Sequence, residues 1–170
     1  MRRFHVGRIV VAAMAVACAA STVSTLAAEK DPLRDGDGKL RHALVMRDSQ
    51  GGFAGFSGWI WTIEADGRWR REPFLNKTVR KADRTGKLDA KGLAALAAEM
   101  DRLKLLDLPR QLGGKAMVNP HVVTIGFGTF ESKLVLGTGA PLPKADDKPT
   151  TPTARFVAIV RYVQENLVVK

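Results

Sequence analysis

The chain has 170 residues, 45% of them hydrophobic, and carries 27 Lys and Arg against 17 Asp and Glu, a formal charge of +10. That apolar content is ordinary for a folded domain and excludes a chain disordered throughout. A single Cys excludes a disulfide-stapled fold and every Cys-rich metal framework, and the lack of a fixed-period repeat excludes solenoids and propellers.

Residues 1–28 read as a targeting segment, a signal peptide for export to the periplasm, the cell envelope or the medium. Arg2, Arg3 and Arg8 precede an apolar run over 9–20. The run is shorter than the roughly 20 residues that a bilayer span needs. Small residues then lead to Ala27 and Ala28, after either of which a signal peptidase could cut. An uncleaved anchor is the alternative. A lipoprotein reading would acylate Cys18, although Ala15 stands where such signals usually carry Leu. Cleavage leaves 142 residues with 24 basic and 17 acidic side chains, no Cys and two His, His42 and His121. That length suits one domain with its own core.

Along this exported chain, residues 29–40 are polar and rich in turn formers and read as a flexible leader. A first strand is expected over 41–49, with Leu44 and Met46 inward. Residues 50–56 then break the pattern. Their three glycines make a loop that holds Phe53 and Phe56. Residues 58–64 alternate, with Trp59, Trp61 and Ile63 on one face as a candidate core. Asp66-Gly67 is a hairpin signal, and Trp69 falls on the return strand. Between residues 68 and 91 the chain turns basic, with nine Lys or Arg and three acids.

Asp89 is the expected cap of a helix over 90–104, whose stripe is Leu93, Leu96, Ala97, Met100 and Leu103. Pro109 ends it, and 110–120 reads as a loop. Residues 121–128 and 132–137 suggest a second hairpin with Val123, Ile125, Phe127, Leu134 and Leu136 inward. Four prolines in 138–152 mark an exposed loop. Thr153 is the expected cap of a last helix over 154–168, with Phe156, Ile159, Val160, Val163 and Leu167 on its apolar face. The expectation is an α+β domain over 41–170. Its small antiparallel sheet has two hairpins and an N-terminal strand, with two helices packed on one face.

The segment Ser49-Gln-Gly-Gly-Phe-Ala-Gly-Phe after the first strand is similar to the Ser-Gly-Gly-Phe-Ala-Gly loop of emfourin-like proteins. The helix from Leu88 to Leu-Asp-Leu-Pro at 106–109, the later strand pair, the Pro-containing loop and the C-terminal helix follow the same pattern over most of 42–168. The family is named for an inhibitor of protealysin, a thermolysin-type metallopeptidase. The resemblance implies a non-catalytic inhibitor-like protein and a metallopeptidase partner. This chain departs from the pattern in its export signal, its enlarged basic hairpin between Asp66 and Leu88, and its longer C-terminal loop. Leu105-Leu106 or Leu106-Asp107 also stands where an aromatic pair is common. No inhibitory residue can be matched by position.

Catalytic signatures fail one by one. Gly55-Phe56-Ser57-Gly58 puts Trp59 where a hydrolase elbow needs its second glycine. His42 and His121 have no His or Cys partner nearby in sequence, and zinc needs three or four ligands. The Asp35-Gly36-Asp37-Gly38 run lacks the later acids of a calcium loop, and both Gly-Lys pairs lack the Ser or Thr of a phosphate loop. No enzyme and no cofactor are expected. Two candidate binding features remain. One is the loop Gly51, Gly52, Phe53, Ala54, Gly55 and Phe56, with two aromatic anchors. The other is the run Arg68, Trp69, Arg70 and Arg71. In an exported protein that run suits an anionic polysaccharide, a lipid surface or an acidic protein patch rather than nucleic acid. Its bland reading is a solvated hairpin whose charges guard a sheet edge.

Overall fold

The computed structural model describes residues 31–115 and 118–168; the expected signal segment and Cys18 lie outside them. The architecture is α+β, with the sheet larger than expected. Eight strands are built from β1 (Leu44–Gly52), β2 (Gly55–Ile63), β3 (Arg68–Leu75), β4 (Thr78–Val79), β5 (Arg84–Lys87), β6 (Gln111–Gly113), β7 (His121–Phe127) and β8 (Phe130–Leu136). The helices are α1 (Ala90–Arg102) and α2 (Pro152–Val168). The order across the sheet is β4-β3-β2-β1-β7-β8-β6, with β5 also paired to β3. Every pairing is antiparallel except β6 with β8. The expected antiparallel sheet is therefore a mixed one. Strands of two to four residues are too short to show an alternating pattern, and so β4, β5 and β6 leave no periodic trace in the sequence.

β1 comes first in the chain and lies at the centre of the sheet. The tight turn after it folds β2 onto one edge, and β7 returns after α1 to occupy the other. Register then fixes a core face. Leu44 lies between Ile63 and Phe127, and Met46 between Trp61 and Ile125. Leu93, Leu96, Ala97 and Met100 of α1 join these residues in one buried cluster with Phe156, Val157, Ile159, Val160 and Val163 of α2. Burying each large aliphatic or aromatic side chain contributes about 1.5–3 kcal/mol. Only the backbone of Leu167 is described.

Local chemistry sets the boundaries. Gly67 takes a φ of 85° in the β2–β3 turn, where Asp66 Oδ1 accepts the Arg68 N–H at 3.1 Å. Asp89 Oδ1 caps α1 by accepting the Gly92 N–H at 2.7 Å, as its sequence position suggested. The cap of α2 is Thr151 rather than Thr153. Its Oγ1 accepts the Ala154 N–H at 3.1 Å, because Pro152 fits the first helical position, where no N–H is needed.

Residues 31–40 are not a free leader. Leu33 and Leu40 are buried in the core. Asp31 Oδ1 accepts the N–H groups of Leu33 and Arg34 at 2.9 and 3.1 Å, and the Leu40 N–H donates to Ala65 O at 3.1 Å. Two leucines anchor a segment whose composition otherwise resembles a tail.

Candidate functional site

The expected loop at 50–56 is a hairpin tip. β1 runs on through Gly51 and Gly52, β2 starts at Gly55, and the register pairs Gly52 with Gly55. Phe53 and Ala54 alone form the turn. Gly55 follows in the left-handed region at φ 97°, the conformation taken by the residue after a type I hairpin turn, where glycine carries no Cβ penalty. Backbone groups that a loop would leave to water are here bonded within the sheet. The Gly51 N–H also donates to Pro120 O at 2.9 Å.

Asn76, in the turn between β3 and β4, fixes this tip from twenty residues away. Its Oδ1 accepts the Phe56 N–H at 3.0 Å, its Nδ2 donates to Ala54 O at 2.8 Å, and its own N–H donates to Phe56 O at 2.6 Å. Asn76 sits at φ 56°, a conformation that Asn tolerates better than most residues. A side chain added at Gly55 would strike the Asn76 carboxamide.

On this braced scaffold the Phe53 ring is fully exposed, and Phe56 is 41% exposed. Leu75, which ends β3, and Val79 in β4 are exposed at the same end of the sheet. Val118 stands 81% exposed in the strap that reaches Gly51 through Pro120. Apolar surface thus collects at one end of the sheet. Phe53 and Phe56 stand out in the sequence; Asn76, Leu75, Val79 and Val118 do not. Register brings them together, and the only sequence clue is a turn-forming Asn between Leu75 and Thr78.

Trp59 departs from expectation in part. Trp61 and Ile63 are core residues, but Trp59 is 36% exposed. It pairs across strands with Asp48 and Pro73 rather than with core side chains. The Arg71 guanidinium lies 4.2 Å from its ring centre.

The run Arg68, Trp69, Arg70 and Arg71 does not form one surface. Strand alternation puts Trp69 and Arg71 on the core side and Arg68 and Arg70 on the other. Trp69 packs against the core and over Gly86. Arg68 Nε meets Asp66 at 2.8 Å. Arg70 bridges Glu64 at 2.6 Å and Glu72 at 3.1 Å, and the Glu64 hydrogen bond is the main reason its guanidinium holds its proton more firmly than usual. Arg71 clasps Asp83 through two nitrogens, with Nε at 3.0 Å from Oδ1. That contact holds the Asp83 carboxyl below the usual carboxylate range. Each of the three arginines faces a carboxylate.

His121 is buried between Asp48 and Ala140 O, and the His42 ring meets Phe127 edge to face at 5.4 Å. Among the described residues, no group of three or more His, Cys, Asp or Glu is placed to hold a metal ion, and no helix is long and apolar enough to cross a membrane. A hollow of about 440 Å³ between the helices is floored by Ile63, Leu96 and Val163. Asp89, the carboxylate on its rim, is already engaged as the α1 cap. Comparison with protein-family models gives no match, and comparison with curated proteins gives none either.

Proposed function

We propose that this is an exported, non-catalytic binding protein that docks its β1–β2 hairpin tip into a cleft of a protein partner. The resemblance of residues 49–56 and of the α1 segment to emfourin-like proteins makes a thermolysin-type metallopeptidase the partner class of choice. One observation carries the reading: a fully exposed Phe53 on a turn that Asn76 holds in place. A phenylalanine left in water is costly, and it contributes about 1.5–3 kcal/mol once a partner covers it. Because the tip is braced beforehand, little ordering entropy opposes docking. The same bracing explains how a peptidase could be blocked without cutting. Backbone groups flanking Phe53 are bonded to the opposite strand and to Asn76, so the tip does not open into the extended form that a protease needs.

The test is inhibition of a panel of thermolysin-type peptidases by the purified protein, with Phe53→Ser and Asn76→Ala beside it. Inhibition by the natural chain that falls at least thirtyfold in Phe53→Ser supports the reading. Undiminished peptidase activity across the panel overturns it. The alternative, an envelope-associated structural or polyanion-binding protein using residues 68–91, draws on the positive charge of that window. It is the weaker reading because Arg68, Arg70 and Arg71 are each engaged by carboxylates.

A further inference from the structure

Edge strand β5 is the longest of the short outer strands, and it pairs with β3 and no other strand among the described residues. Arg84, Thr85, Gly86 and Lys87 are all exposed. The Leu88 N–H donates to Gly67 O at 2.9 Å, which makes Gly67 and Leu88 a bonded pair. Antiparallel alternation then puts Gly86 and Arg84 in bonded pairs with β3 and turns the N–H and C=O of Thr85 and Lys87 outward. Four backbone groups lie along this open edge, a row that another extended chain can pair with. Around it the chain is strongly basic. Residues 77–87 contain Lys77, Arg80, Lys81, Arg84 and Lys87 against one acid, Asp83, which faces both Arg71 and Arg84, while Lys87 acts on Asp66; Lys77, Arg80 and Lys81 carry the charge that a partner would meet.

We propose that β5 is a docking edge for an extended acidic segment of a partner protein, which adds to the sheet as a ninth strand. The ladder supplies geometry and the flanking Lys and Arg supply selection, as in strand-addition recognition generally. A second copy of this chain is the poorer occupant, because it would bring two edges flanked by Lys77, Arg80 and Lys81 together, and like charges repel. This edge is formed by β3 and β5, so the inference stands independently of the hairpin tip.

The probe is a fluorescent octapeptide of alternating Glu and Val, titrated with the purified protein. Binding is expected that weakens at least tenfold in 1 M salt, where the screening length shrinks to about 3 Å. A peptide with methylated backbone nitrogens should bind at least tenfold more weakly, and a Lys–Val version should not bind. Thr85→Pro, which removes an outward N–H at an edge position where Pro is tolerated, should weaken binding at least tenfold. Arg80→Glu with Lys81→Glu should shift preference to the Lys–Val peptide. Failure of the acidic peptide to bind overturns the proposal. So does equal binding of the methylated peptide, since charge alone would then be attracting it. Should Thr85→Pro not melt cooperatively, the methylated peptide on the unaltered protein still decides the matter.

Discussion

His121 Nε2 lies 2.7 Å from Asp48 Oδ1, and its Nδ1 lies 2.6 Å from Ala140 O. A backbone carbonyl and an ionised carboxylate both only accept. With an accepting oxygen at each ring nitrogen, this geometry favours the imidazolium form of His121. Gln164 of α2 lies 3.4 Å from the other Asp48 oxygen, so this half-buried pair links β1, β7, the loop before α2 and α2 itself. The Asp48 hydrogen bond raises the His121 pKa above its ordinary 6.5, with burial opposing and the Ala140 contact assisting.

A raised His pKa fixes the sign of the pH dependence. The stabilisation is fully present below the unfolded value near 6.5 and is lost as pH climbs through the higher folded value. Melting followed from pH 6 to 10 should show a midpoint that falls across that window. His121→Gln should flatten this slope. An unchanged slope would mean that other groups set it.

Asn76→Ala should free the hairpin tip. The Phe56 N–H loses its acceptor and Ala54 O loses its donor, while Ala is strained at φ 56°. Global stability should drop by about 1–2 kcal/mol. Exchange of the Phe56 amide should quicken at least tenfold. Asn76→Gly relieves the backbone strain but leaves the amide equally unprotected.

Gly58→Ala should cost about 2–3 kcal/mol in chemical denaturation, because the added Cβ would run into the Asp48 carbonyl of the neighbouring strand. A cost below 0.5 kcal/mol would mean that β1 and β2 separate there without penalty.

Leu33→Ala and Leu40→Ala should each lower stability by about 2–4 kcal/mol, the range for truncating a buried leucine. A free tail would show no change. Denaturant midpoints with an unaltered slope decide between them.

Much of the architecture is legible in the residues themselves. The α1 stripe, the Asp89 cap, the Asp66-Gly67 turn and the alternation in 121–136 are local patterns, and a helix or hairpin is specified by neighbours a few positions apart. Phe53 and Phe56 were visible as unusual aromatics among glycines for the same reason. Tertiary structure alone decided that β1 is central, that Leu33 and Leu40 are core, and that Asn76 braces a turn twenty residues distant. It also set Asp83 against Arg71, twelve residues away. Those relations depend on strand register and on which side of a strand each group faces. They arise when separate stretches meet, and no window along the chain contains them.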